Sequence, residues 1–243
     1  MASFFYRLGK AIGPPLRQAN WIFRSLTDTE AEALRAENAV GRDLASALLQ
    51  QKELDRDPAI EAVLVDLKYR LAKGVRNRQR RFQFFAVKAA EINAFALPGG
   101  FVFMTRPLLE FCNWNQAELA FILGHEMAHI VQGHVMDRLL ANSMIRATVG
   151  RLTPVGGLLG QPVVALAANL LNQGYSQDTE LEADQVGLQL AARAGFDPTA
   201  AARLFARLRT LGGDRSPLSG YFSSHPPLDV RIRQLAHHTR PRR

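Results

Sequence analysis

The stretch Leu119 to Val135, LAFILGHEMAHIVQGHV, constrains the fold more than any other part of the chain. Leu119, Phe121, Ile122, Leu123, Met127, Ile130, Val131 and Val135 cover too many sides of a helix for it to lie at a surface. Asn115-Gln116-Ala117-Glu118 has the form of a capping box just ahead of it. The pattern predicts a mostly buried helix over about 116–143, around which the rest of the domain must pack. His125, Glu126 and His129 stand inside this apolar run. Burying three such groups costs several kcal/mol unless they are paired or bound to something.

Four residues advance a helix by about 400°, so His125 and His129 lie nearly one above the other and can chelate one ion. Glu126, one step round, reaches water at that ion without ligating it. Zinc suits such a mixed nitrogen and oxygen site, and a catalytic zinc takes three protein ligands. His134 lies nine residues after His125, about 180° round a continuous helix, and is expected to face away as a surface or outer-layer residue. Gln132 and Val135 stand where a metzincin would have Gly and His, which excludes that family. The third ligand is sought in Tyr175 to Pro198, YSQDTELEADQVGLQLAARAGFDP. Ser176 or Asp178 caps a second helix there, and Gly195 with Asp197-Pro198 closes it. Glu180 and Asp184 share one face, with Glu182 on the opposite side. One carboxylate of the pair can ligate while the other accepts the N–H of a ligand histidine.

HEMAH, then ELEAD about fifty residues on, then SSHPPLDVRI near the C-terminus, together with NAFALPGGFVFMTRPLL at Asn93 to Leu109, resemble the zinc metallopeptidases of the CAAX-prenyl-endopeptidase type. HtpX and BepA-like proteases belong to that group. The likeness covers roughly residues 60–237. It implies one zinc ion per chain, with His125, His129 and Glu180 as ligands, Glu126 as the base and Asp184 supporting a ligand histidine. It places His225 near the cleft. There His225 is either a donor to the tetrahedral oxyanion, with Arg231 and Tyr221 behind it, or a latch in the open zinc position. The family often has Ser-Arg four residues before the ligand glutamate; this chain has Ser176-Gln177. With no set of spanning helices, it resembles the soluble branch of the group.

Elsewhere the pattern predicts helices from Asp28 to about Leu54 and from Asp57-Pro58 to Lys73. Strands are expected over 82–88, 93–97 and 101–105, the last two joined by Pro98-Gly99-Gly100, and helices over 198–211 and 227–237. The expected class is α+β, a mostly helical zincin-like domain over 26–243 with a small antiparallel sheet beside the HEMAH helix, preceded by an extension over 1–25. Asn93, Ala94, Phe95, Ala96 and Leu97 form either an edge strand that pairs with an extended substrate or a packed hairpin.

Cys112 is the only cysteine, so no intramolecular disulfide forms, and it reads as a small packed hydrophobe. A net charge of +8 gathers in Arg76, Arg78, Arg80 and Arg81 and in Arg240, Arg242 and Arg243. These clusters suit solvent or a peripheral membrane contact, and no nucleic-acid motif accompanies them. Phe4, Phe5, Leu8 and Ile12 form a short amphipathic segment rather than a signal peptide, so a cytoplasmic or peripheral-membrane location is expected, with periplasm open. Residues 152–177 carry no charge but are broken by Pro154, Gly156, Gly157, Gly160 and Pro162, which favours a loop and short buried helix over a membrane span. The expected activity is zinc-dependent endopeptidase cleavage of unfolded or extended protein segments, as in protein quality control. The alternative is a non-catalytic, chaperone-like binder using the same groove.

Overall fold

The computed structural model describes residues 29–50, 52–141, 174–210, 225 and 228–238. In chain order these form α1 (Glu30–Leu49), α2 (Pro58–Ala72), β1 (Gln83–Val87), β2 (Ala94–Leu97), a 3-10 turn (Pro98–Gly100), β3 (Phe101–Thr105) and α3 (Arg106–Phe111). They continue with α4 (Gln116–Val131), α5 over 134–141, α6 (Gln177–Arg193), α7 (Thr199–Thr210) and α8 (Leu228–His238). The expected roles of Phe4, Phe5, Leu8 and Ile12, of most of the uncharged run, of Tyr221, and of Arg240, Arg242 and Arg243 lie outside the described residues. No described helix is long and apolar enough to cross a membrane.

The helices start where short polar side chains satisfy free N–H groups. Thr29 caps α1. Asp57 caps α2, with Pro58 in the first turn. Ser176 caps α6. Asn115 Oδ1 accepts from the N–H of Ala117 at 3.1 Å and of Glu118 at 3.2 Å. Only half of the expected capping box is used as such. Glu118 is buried and turns to Arg207 of α7, whose Nη1 lies 2.7 Å from its Oε1.

The class is α+β as expected, but the sheet is mixed rather than antiparallel. Its order is β1-β3-β2. The turn at Pro98–Gly100 folds β3 back beside β2 in antiparallel register, and β3 then offers its other edge to β1, with which it runs parallel. Gly99 and Gly100 take φ of +76° and +92° in that turn, a conformation that side chains disfavour. The buried carboxylate of Glu37 holds it: Oε1 accepts from Gly99 N–H and from Arg80 Nη1, both at 3.0 Å. Arg80 is thereby removed from the predicted basic cluster, while Arg76, Arg78 and Arg81 stay exposed.

Both faces of β3 are covered. Phe101 and Phe103 pack with Phe95, Leu97, Leu44 and Leu48 under α1. Val102 and Met104 join the larger core with Leu67 and Leu71 of α2 and Leu119 and Leu123 of α4. Cys112 lies in that core, and burial pushes its thiol up to about 12, as suits a packing residue. Every residue of α4 from Glu118 to Ile130 is buried. The central helix is thus enclosed by α2, α6, α7 and β2.

Candidate metal centre

Glu180, Asp184 and Gly187 fall on one face of α6. Gly187 lets that face press against α4. A Cβ on Gly187 would lie 2.7 Å from His125 N, and one on Gly124 would lie 2.9 Å from Gly187 O. This backbone contact brings the first turns of α6 opposite the histidines of α4.

His129 Nε2 and His125 Nε2 are 3.0 Å apart. Glu180 Oε1 lies 3.3 Å from His129 Nε2, and Oε2 lies 3.7 Å from His125 Nε2. His225 Nδ1 is 2.9 Å from Glu180 Oε1 and 3.3 Å from His125 Nε2. Donors about 2.0–2.1 Å from one centre at tetrahedral angles stand about 3.4 Å from each other, so these spacings fit a four-coordinate zinc site. All four residues are buried. Two imidazoles, a carboxylate and a third imidazole are also the donor types zinc prefers.

Glu126 projects to the same spot. It is buried, its Oε1 has no hydrogen bond among the described residues, and His225 Nε2 stands 3.4 Å from that oxygen. A buried carboxylate oxygen left without a hydrogen bond is costly, and a site that receives water would satisfy it.

A layer of partners holds these groups. Asp184 Oδ1 lies 2.9 Å from His125 Nδ1. Arg231, fully buried, grips Asp184 with Nε at 2.8 Å and Nη2 at 2.7 Å, and its Nη1 reaches Glu180 Oε2 at 2.9 Å and the His225 carbonyl at 3.2 Å. Burial works against charge on Glu180, but His225 and Arg231 outweigh it and hold its carboxyl well below the usual range. Asp184 is lowered likewise, burial being outweighed by Arg231. For His125, burial is outweighed by the Asp184 hydrogen bond and the Glu180 charge, so its pKa is raised; for His129 burial wins and the pKa falls well below the ordinary value.

The structure thus brings His125, Glu126, His129, Glu180, Asp184 and His225 together. Arg231, expected behind His225 as an oxyanion donor, instead spends its guanidinium on Asp184 and Glu180. β2 is one of the two edge strands of the sheet and lies beside α4, with Ala94, Phe95, Ala96 and Leu97 buried and Asn93 half-buried. The Asn93 carbonyl accepts from Thr105 N–H at 3.0 Å. Antiparallel pairing alternates, so the backbone groups of Ala94 and Ala96 point away from β3.

His134 departs from the continuous-helix expectation. α4 ends at Val131, Gly133 takes φ of +83°, and the chain resumes in α5 with a new phase. His134 is therefore buried, with Nδ1 3.0 Å from His129 Nδ1. Glu182, expected on the side of α6 opposite Glu180, reaches His134 Nε2 at 3.4 Å. Tyr175 is a further member that the pattern did not mark. Its ring stacks on His129 at 3.8 Å and 12°, and Arg138 sits 4.0 Å from its centroid.

Comparison with known proteins agrees with this geometry. The family model described as Peptidase family M48 matches residues 56–239. The chain belongs to peptidase family M48. Mitochondrial metalloendopeptidase OMA1 of Arabidopsis thaliana is 33% identical over 155 residues, covering 64% of this chain and 31% of that protein. Beta-barrel assembly-enhancing protease of Escherichia coli (strain K12) is 29% identical over 202 residues, covering 77% and 41%. Metalloprotease YcaL of the same strain is 30% identical over 150 residues, covering 60% and 58%. The matches thus span between 31% and 58% of these relatives' lengths. M48 metalloproteases use zinc, and the buried group of His125, His129, Glu180 and His225 can hold one ion. The resemblance read from HEMAH, ELEAD and SSHPPLDVRI is therefore to the right family.

Two features of the centre have little or no local signal in the sequence. Gly187 follows Glu180 by seven residues, on the same helical face, and that spacing is the only local sign of the close helix contact. Tyr175 directly precedes the Ser176 cap, a position with no periodic signal at all.

Proposed function

We propose that this M48 chain is a zinc metalloendopeptidase that cleaves unfolded or extended protein segments. The reading is carried by one observation: ligand atoms of His125, His129 and Glu180 spaced for a single ion, beside a buried Glu126 oxygen that lacks a hydrogen bond among the described residues. We take residues 26–243 as one peptidase domain, supported by the family match over 56–239, with 1–25 as an extension.

In this reading His125, His129 and Glu180 hold the zinc, which when bound supplies Lewis acidity toward water and the scissile carbonyl. Glu126 takes the proton of the attacking water and hands it to the leaving amine nitrogen. Asp184 accepts from His125 Nδ1–H and so keeps Nε2 free to ligate. Arg231 is a positioning residue: it neutralises Asp184 and Glu180 and ties the His225 backbone to them. The outward N–H and C=O of Ala94 and Ala96 bind substrate as an added strand, which recognises backbone and so tolerates varied side chains. His225 would join the other three in holding the ion and so keep the enzyme latched in the absence of substrate. Its ligand-like distances to His125 and Glu180 support this role over that of oxyanion donor.

The test is hydrolysis of casein or a peptide by the full chain. Wild type is expected to cleave and to stop when chelated, while Glu126→Gln keeps its zinc and loses about 10²–10⁴ in turnover. A Glu126→Gln chain that cleaves like wild type overturns the peptidase reading. A wild type that suppresses aggregation without cleaving would instead favour the chaperone-like alternative.

A further inference from the structure

The two metal-facing histidines of α4 are supported from behind in different ways. His125 Nδ1 meets Asp184, a carboxylate that is buried and gripped by Arg231. Among the described residues, His129 Nδ1 meets no carboxylate. The atom 3.0 Å away is Nδ1 of His134, and His134 Nε2 stands 3.4 Å from Glu182 Oε2. Glu182 is half exposed and also accepts from the side-chain amide of Gln132.

The next step rests on the reading of His129 as a zinc ligand through Nε2. A neutral imidazole bound to metal at Nε2 carries its hydrogen on Nδ1. Two nitrogens 3.0 Å apart share one hydrogen between them, so His134 Nδ1 must be the acceptor. Its own hydrogen then sits on Nε2 and points at Glu182.

We propose that His134 and Glu182 are positioning residues for His129, forming a one-way chain of hydrogen bonds from the metal centre to the surface. The Tyr175 stack sets the plane of the His129 ring, and the bond to His134 sets where in that plane Nε2 aims. Gln132 fixes the outer carboxylate. The break at Gly133 is what makes the chain possible, because on an uninterrupted helix five residues would carry His134 about 140° away from His129. One zinc ligand is thus anchored to the buried interior and the other to the protein surface.

Zinc affinity, measured on the full chain by competition with a chromogenic chelator, tests this together with the visible spectrum of the cobalt-substituted protein. His134→Phe is expected to bind zinc about 10–100-fold more weakly and to alter the cobalt spectrum, with the melting temperature of the metal-free chain unchanged. His134→Asn restores an acceptor near the position of Nδ1 and is expected to return affinity toward wild type. Glu182→Ala gives a smaller loss, because water can replace a half-exposed carboxylate. His134→Phe binding as tightly as wild type overturns the inference, and so does His134→Asn binding as weakly as His134→Phe. A readout on the unmutated, zinc-loaded protein does not depend on the variants folding: nitrogen NMR of the histidine rings is expected to find His134 protonated at Nε2. Protonation at Nδ1 overturns the proposal. His129→Ala separates the two levels. If it keeps zinc, the ligand reading beneath fails; if it loses zinc while His134→Phe does not, only the positioning role fails.

Discussion

Gly187 of α6 lies against the backbone of His125, so close that a Cβ on it would stand 2.7 Å from His125 N and 2.8 Å from His125 Cα. The neighbours are main-chain atoms of a fully buried helix and cannot swing aside. Gly187→Ala must therefore push α6 off α4, carrying Glu180 and Asp184 with it. The expected result is a loss of about 1–3 kcal/mol in the unfolding free energy of the metal-free protein, together with weaker zinc binding. Thermal or urea unfolding and a zinc titration check both halves. Weaker zinc binding without destabilisation would mean the helices separate more easily than this contact implies.

His225 is placed among the ligand atoms while its Nε2 faces Glu126. As a latch it competes with substrate for the ion. His225→Ala is expected to raise peptide turnover several-fold and to retain zinc on the remaining three ligands. Initial rates and metal content decide the matter. A fall of about 10²–10³ in turnover would instead assign His225 as a donor to the oxyanion.

The backbone groups of Ala94 and Ala96 lie on the side of β2 away from β3, although both residues are buried, while Phe95 and Leu97 face their partners Phe103 and Phe101 across the ladder. Ala96→Pro removes an outward N–H and leaves the inward bonds in place. The expected effect is a raised KM for extended peptides with unchanged zinc content. Steady-state kinetics beside metal analysis measure it. Parallel loss of zinc and activity would show that the strand is structural only.

Arg106 joins the start of α3 to the segment before α2, with Nε 2.5 Å from Asp55 Oδ2, Nη2 2.8 Å from Asp55 Oδ1 and Nη2 3.0 Å from Asp57 Oδ2. The hydrogen bonds from Arg106 hold the Asp55 carboxyl below its ordinary value despite burial. A carboxyl depressed in the folded state stabilises the fold above its unfolded pKa, about 3.9, and loses that contribution as pH falls through the folded value. Arg106→Ala is therefore expected to destabilise the metal-free chain at neutral pH, with the difference from wild type closing as pH drops through the carboxylate range. Urea unfolding at a series of pH values tests this. A difference that stays constant down to acid pH would assign the effect to packing.

Much of the centre is legible in the residues themselves. Asn115 and Ser176 mark helix starts, the apolar run marks the central helix, and the four-residue spacings of His125 with His129 and of Glu180 with Asp184 put each pair on one face. The missing parts depend on tertiary contact. Nothing in residues 82–88 shows that their partner is β3, reached past β2, because strand order depends on which edge is left free. Gln132-Gly133 is a weak stop signal inside a continuing apolar pattern, yet the break there turns His134 inward. Arg231 is one cation among many until α8 docks and sets it between two buried carboxylates. The short α3 has no periodic signal, since six residues cover fewer than two turns.

Zinc content of the full chain beside its Glu180→Ala variant is the decisive measurement. One zinc per wild-type chain is expected and, in a Glu180→Ala chain that still melts cooperatively, zinc lost or bound far more weakly. A folded Glu180→Ala protein that keeps one zinc at wild-type affinity would contradict the ligand role of Glu180.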